Sequence, residues 1–389
     1  MTDRAPPARI QNLDALRAIA VLLVMVFHFR LLAVGWIGVW IFFVISGFLI
    51  SRILLDYRTR FGLAEYLGVF YARRALRIFP IYYLYIALWS GVALLAFVPK
   101  DFALLPLITY TFNFVKWAPG YDGSRIFSHL WSLAVEEQFY LVYPLVVFAS
   151  SRGALARALI AVIVLSPALR WAAGAIAFDR LPEPDYAGRV VFVASFLHAD
   201  AFAVGGLIAL FESAIRTMPI RRFAAWSAAG VALGAGVLAL NAIAWWSGPL
   251  PATIEPYFVG ASSLGLPVNP FRQLQHVWVY SLLDAGAGLA ICVLLRLAQR
   301  QVAAARPLNA IGRISYGVYL YHFALISVVD RVFAGVPHAS LPGLGVFALY
   351  LALVLALSAL SHRWIETPFN ALKPAFLGRH RVAPVGLAE

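Results

Sequence analysis

Residues 13–29 read LDALRAIAVLLVMVFHF, an apolar run of membrane-spanning character that nevertheless holds Asp14, Arg17 and His28. An ionisable side chain inside a span costs a few kcal/mol unless it faces the interior of a helical bundle, so each such residue marks a candidate site. Arg17 and His28 are eleven residues apart, about three turns and roughly 16 Å of helix rise, so they share one face at two depths. Asp14 lies one turn before Arg17 on nearly the same face and can pair with it. On position alone Arg17 reads equally as a snorkelling arginine, and His28 as a histidine hydrogen-bonded between helices.

The rest of the chain sets the class. Of 389 residues 62% are hydrophobic and 13% charged, and the mean hydropathy is +0.82, too little polar surface to cover a soluble globule. The expected fold is all-α, a polytopic transmembrane helical bundle. The opening MTDRAPPARI is short and basic, and the run behind it has no small-residue cleavage site, so the first span is expected to be retained. A single cysteine, Cys292, excludes an internal disulfide framework and a cysteine-based zinc site, and no metal constellation is evident. The net charge of +13 does not call for nucleic acid, because the arginines lie between spans and not on one basic domain.

Ten spans are read, near 13–33, 36–55, 78–98, 131–149, 154–174, 191–212, 223–245, 276–296, 308–329 and 343–364. With both termini cytoplasmic, the inner ends and loops hold 21 Lys+Arg and the outer ones 9. Were the short apolar stretch 102–117 also a span, the split would become 15 to 15. The positive-inside rule therefore favours ten spans, with 102–117 re-entrant or interfacial. In this orientation Trp36, Trp131, Trp171, Trp245, Trp246 and Trp278 fall towards the outer interface, where tryptophans serve as anchors.

The second span, WIGVWIFFVISGFLISRILL (36–55), offers Ser46 and Gly47 for close helix approach. After it, FGLAEYLGVFYARRALRIFP (61–80) interleaves apolar residues with Arg73, Arg74 and Arg77, as an interfacial amphipathic helix does, with Pro80 opening the third span. Arg74 and Arg77, three apart, can face one anion, and guanidinium forks suit phosphate. The same arginines also read as a plain positive-inside signal. The fourth span begins SHLWSLAVEEQFYLVYPL (128–145), and brings Glu136 and Glu137 to a depth similar to that of His28. Neighbours on a helix point about 100° apart, so at most one faces His28, where a carboxylate would fix the imidazole tautomer; structural hydrogen bonding is the alternative.

These residues resemble the bacterial membrane-bound acyltransferase family 3, whose O-acetyltransferases decorate surface polysaccharides, peptidoglycan, nodulation factors and macrolides. The resemblance runs from about residue 10 to 370. The family's Arg or Lys, ten residues, then His pattern matches Arg17 and His28, and its Arg-x-x-Arg matches Arg74 and Arg77. Its Phe-Phe-x-x-Ser-Gly-Phe run matches Phe42, Phe43, Ser46, Gly47 and Phe48, and its tryptophan-led stretch matches Trp131 through Tyr140. Later matches are Ser315, Tyr316, Tyr319 and His322, then Glu366 and Pro368. One departure is His198, Ala199, Asp200, where the family often has Arg-x-Asp; if that arginine touches a substrate, specificity differs here.

The resemblance implies an acyltransferase in the inner (plasma) membrane. It has no permanently bound cofactor and takes acetyl-CoA as donor from the cytoplasm. Arg17, Arg74 and Arg77 would bind the donor, and His28 with Glu136 and Glu137 would be catalytic. Ser315, Tyr316, Tyr319 and His322 are substrate or oxyanion candidates, and Ser315, Tyr319 and His322 share one helix face. The acceptor would be a carbohydrate or small-molecule hydroxyl, with specificity in the outer loops 175–190 and 247–275. Some relatives carry an extracytoplasmic hydrolase-like domain; here residues 1–370 read as the membrane domain and 371–389 as a flexible basic cytoplasmic tail, so such a partner would be a separate protein. Two alternatives stay open: the same chemistry on a macrolide or lipid, and a non-enzymatic transporter in which Arg17, His28 and the glutamates form a proton or anion path.

Overall fold

The computed structural model describes residues 10–95, 103–119, 126–247, 261–269, 271–297 and 305–373. Among these, every regular element is helical. A helix satisfies its own N–H and C=O groups within one segment, which hydrocarbon surroundings require. The bundle is carried by α1 (Gln11–His28), α2 (Gly38–Tyr57), α3 (Leu63–Leu95), α4 (Trp131–Ala149), α5 (Arg152–Arg180), α6 (Ala199–Leu210), α7 (Ile220–Ser247), α8 (Gln275–Leu297), α9 (Ser315–Val332) and α10 (Leu341–Ser361).

Seven helical stretches among the described residues are long and apolar enough to cross a membrane. The three helices outside that set are α1, α6 and α9. With 12 residues α6 is short, while α1 and α9 carry the polar residues singled out above. Conversely α7, in which only Asn241 and Trp245 are buried, is apolar all round and faces outward, as a lipid-covered helix does. Of the outer loop 247–275, residues 248–260 and 270 lie outside the described residues, as does the tail after Lys373.

One tight crossing joins α2 to α6. A Cβ on Gly47 would stand 2.2 Å from the Phe202 carbonyl oxygen, and one on Gly205 would stand 2.2 Å from that of Val44. Both contacts are with backbone, which cannot swing aside. Gly47→Ala is expected to push the helices apart at a cost of about 1–3 kcal/mol, seen as a lower thermal unfolding midpoint of the purified protein.

Two expectations are corrected here. First, α3 continues through Pro80 as one helix, whereas the sequence reading placed an interfacial helix before a span opened by that proline. A proline within a helix removes one backbone bond, and neighbouring helices compensate for this in membrane bundles. The packing here is close, with the Tyr316 hydroxyl 3.4 Å from the Ile78 carbonyl. Arg74 and Arg77 therefore ride on a long helix packed inside the bundle. Second, Trp36, Trp131 and Trp245 are 2%, 6% and 1% exposed, and so belong to the core and not to an anchoring belt. The stretch 102–117 breaks into the short helices Leu104–Ile108 and Phe112–Val115, each far below spanning length. It is pinned by Tyr82 donating to the Leu107 carbonyl at 2.8 Å and by Gln138 donating to the Tyr110 carbonyl at 2.6 Å.

Candidate active site

Two cavities open along the shared face of α1 and α9. The first, of about 210 Å³, is lined by Arg17, Arg74, Arg77, Ser46, Glu136, Glu137, Tyr140, Ser315, Tyr316 and Tyr319, with apolar walls from α2. Arg17 donates from Nε and Nη2 to Ser315 Oγ at 3.1 and 3.0 Å. The Arg74 guanidinium sits 3.9 Å above the Tyr140 ring, and its Nε is buried without a hydrogen-bond partner. Glu136 accepts from the hydroxyls of Ser46 and Tyr140. One turn of π-helix, His362–Glu366, packs against α3 and buries Glu366, whose charge is felt by Arg77 and Arg17. Residues scattered from position 17 to 319 thus line one space that is rich in cations and faced by carboxylates, with Glu366 within electrostatic reach.

The second cavity, of about 190 Å³, is lined by His28, His129, Trp36, Trp131, Phe192, Phe323, Lys116, Arg189 and Asn269, among others. It shares Val39 and Tyr319 with the first. The boundary residue Tyr319 is held in place: its hydroxyl donates to the His129 carbonyl at 3.0 Å and lies 2.5 Å from Ser132 Oγ. Along α9, Ser315 meets Arg17, Tyr319 forms the wall, and His322 meets His28, so the helical spacing of the sequence becomes a ladder between the two cavities.

The histidine geometry fixes its protons. His322 Nδ1 lies 2.5 Å from the Tyr319 carbonyl, which can only accept, so Nδ1 of the neutral ring carries the hydrogen and Nε2 is an acceptor. His28 Nδ1, 3.1 Å from that Nε2, must then donate. The lone pair of His28 is left on Nε2, on a residue that lines the second cavity. If His28 takes up a proton, its Nδ1–H is already held by an acceptor, which is the arrangement of an oriented general base.

The group that orients His28 is therefore His322, where the sequence reading looked to Glu136 or Glu137. The glutamates lie seven and eight residues beyond His129, roughly 10–12 Å of helix rise, and line the arginine cavity instead. His129, which the sequence does not single out, packs its ring 5.0 Å from that of His322 and 5.2 Å from Phe323. The signal available was its place two residues before Trp131, at the end of α4 nearest His28. Among the described residues no group of three or more histidines, cysteines or carboxylates is arranged to hold a metal.

The departure at His198–Asp200 lines neither cavity. His198 shares Nε2 between the Val191 and Phe192 carbonyls at 2.8 and 3.0 Å. Asp200 receives a fully buried guanidinium, that of Arg170 on α5, at 2.8 Å. Arg170 also donates to the Leu197 and Val277 carbonyls and to Ser281, and so ties α5, α6 and α8 together.

A family model described as an acyltransferase domain matches residues 10–363. The peptidoglycan O-acetyltransferase OatA of Listeria monocytogenes serovar 1/2a (strain ATCC BAA-679 / EGD-e) is 24% identical over 382 residues, covering 95% of this chain and 57% of that protein. The O-acetyltransferase OatA of Staphylococcus aureus (strain NCTC 8325 / PS 47) is 36% identical over 156 residues, 36% of this chain and 25% of that protein. The chain spans about half the length of the first of these relatives. No solved structure matches it. With the family match running through both cavities and the helices that build them, the chain belongs to the membrane-bound acyltransferase family 3.

Proposed function

We propose that this chain is an O-acyltransferase of the bacterial inner membrane, moving an acyl group, acetyl by default, from cytoplasmic acyl-CoA to a hydroxyl of an envelope or exported carbohydrate. The observation that carries this reading is the pair of cavities meeting at Tyr319 and Val39, one with Arg17, Arg74 and Arg77, the other with His28. The arginines supply charge-assisted donors for the phosphates of coenzyme A, with the thioester carried up to the Tyr319 wall. The acceptor hydroxyl enters the second cavity and loses its proton to His28 Nε2 as its oxygen attacks the thioester carbon. The carbon–sulfur bond breaks, and the departing thiolate takes up the proton. Tyr319, Ser315 and Tyr316 are the hydroxyls available to the oxyanion that forms in between. The orientation proposed has both chain termini and the Arg17 cavity on the cytoplasmic side. The Listeria relative is named for peptidoglycan, a carbohydrate polymer of the envelope, which supports that class of acceptor.

Purified protein in lipid nanodiscs, supplied with labelled acetyl-CoA and a glycan acceptor, is expected to transfer the label. Arg74→Ala is expected to raise the KM for acetyl-CoA by about 10- to 100-fold, with an effect that shrinks at high salt, because a charge-assisted hydrogen bond contributes about 1.5–3 kcal/mol. Proton or anion flux without any label transfer would replace this reading with the transporter.

A further inference from the structure

The His28 cavity contains two cations that the transfer chemistry does not use. Lys116 follows the short helix Phe112–Val115, and Arg189 lies in the helix Pro184–Val193. Lys116 Nζ reaches only neutral oxygens, Ser128 Oγ at 2.6 Å and the Ser128 carbonyl at 3.4 Å. Arg189 Nε is buried without a hydrogen-bond partner, and the guanidinium rests 5.8 Å over the Tyr186 ring. Asp185 is within electrostatic reach of Arg189, but among the described residues neither cation forms an ion pair.

Their placement is fixed by the surroundings. Asn113 donates to the Val193 carbonyl at 3.1 Å and to Ser195 at 2.9 Å, which ties the Lys116 segment to the Arg189 helix. Beside Arg189, a Cβ on Gly188 would stand 2.4 Å from the Asn269 carbonyl oxygen, so the segment that adds Val268 and Asn269 to the cavity wall is seated directly on this helix. Burial, and then the neighbouring Arg189, push the Lys116 ammonium down to about 8. Two like charges held in a half-buried space repel each other, and an anion between them relieves both this repulsion and the unpartnered donor.

We infer that the acceptor carries an acidic group, a carboxylate or phosphate, and that Lys116 and Arg189 bind it in the cavity that also holds His28. The acid anchors one end of the acceptor and so presents a hydroxyl to His28 at the other, while the Trp36 and Trp131 rings offer apolar faces between. Lys116 and Arg189 are specificity-determining residues on this assignment, which rests on the proposed acceptor side of the reaction.

The test uses the full chain in nanodiscs and two probes of the same shape, p-nitrophenyl β-D-glucuronide and p-nitrophenyl β-D-glucoside, which differ in one carboxylate. The glucuronide is expected to bind at least about 10-fold more tightly. Lys116→Gln and Arg189→Gln should each remove most of that preference, and Lys116→Arg should retain it. Glucoside affinity and acetyl-CoA binding should stay unchanged in all three variants, which checks that they fold. No glucuronide binding up to its solubility limit, equal affinity for the two probes, or a preference that survives both glutamine variants overturns the assignment. Labelled acetyl transfer, followed in parallel, separates the two readings. A charge preference without transfer removes the acyltransferase and keeps the anion site; transfer without a charge preference does the reverse.

Discussion

His28→Ala is expected to lower acceptor acylation by about 10²- to 10⁴-fold, the range that a positioned general base contributes, with acetyl-CoA binding and the thermal unfolding midpoint retained. The structure gives three grounds. His28 lines the second cavity; the hydrogen bonds of His322 leave the His28 lone pair on Nε2; and the residue is half-buried, so its loss leaves no large void. The loss should fall on kcat. A second variant distinguishes base from scaffold. His322→Phe keeps an aromatic ring but removes the acceptor for His28 Nδ1–H, freeing the tautomer, and is expected to lower kcat by less while shifting the pH dependence of the rate. Full acylation by His28→Ala would remove it from the chemistry, and an unchanged pH profile in His322→Phe would reduce His322 to packing.

Arg170→Ala is expected to be the most destabilising of the substitutions considered, by about 3–5 kcal/mol, because it strands a buried carboxylate. Arg170 is 0% and Asp200 1% exposed. Without the guanidinium, Asp200 would keep Ser281 at 3.2 Å, and its Oδ1 already lacks a hydrogen-bond partner. Asp284, also buried, interacts with it and would face it without a cation between them. The effect should appear as a large drop in the thermal unfolding midpoint and in the yield of monodisperse protein. The double variant Arg170→Met with Asp200→Leu should recover part of the loss, since the apolar pair itself carries no stranded charge and only the buried Asp284 is left without its cation. If the single variant unfolds at the wild-type temperature, the arginine is dispensable to the bundle.

Helical periodicity accounts for what was legible in the sequence. Arg17 and His28, three turns apart, do share a face, and Ser315, Tyr319 and His322 do line up, because these spacings are properties of a single helix. Partners contributed by different helices were not legible. His322 orients His28, and Arg170 neutralises Asp200, through contacts 294 and 30 residues apart that no local pattern encodes. The proline rule failed at Pro80 because packing along α3 outweighed a local preference. Tryptophan position likewise says nothing of burial: Trp36 donates its ring N–H to the Leu266 carbonyl at 3.1 Å inside the bundle. Hydropathy located both helices of the ladder, as the spans read near 13–33 and 308–329, although α1 and α9 are not among the seven long apolar stretches.

The hydroxyl of Tyr319, bonded to the His129 carbonyl and close to Ser132, bears on cellular bioenergetics. A protein with aqueous cavities on both faces of an energised membrane resembles a leak, since each elementary charge that slips through dissipates about 2.3 kcal/mol per 100 mV. In the orientation proposed above, Tyr319 and Val39, which both cavities share, would confine that hazard to the layer between them. On that proposal the Tyr319 phenol would help to insulate the bilayer, and any substitution that shortens it should be judged by proton conductance as well as by turnover.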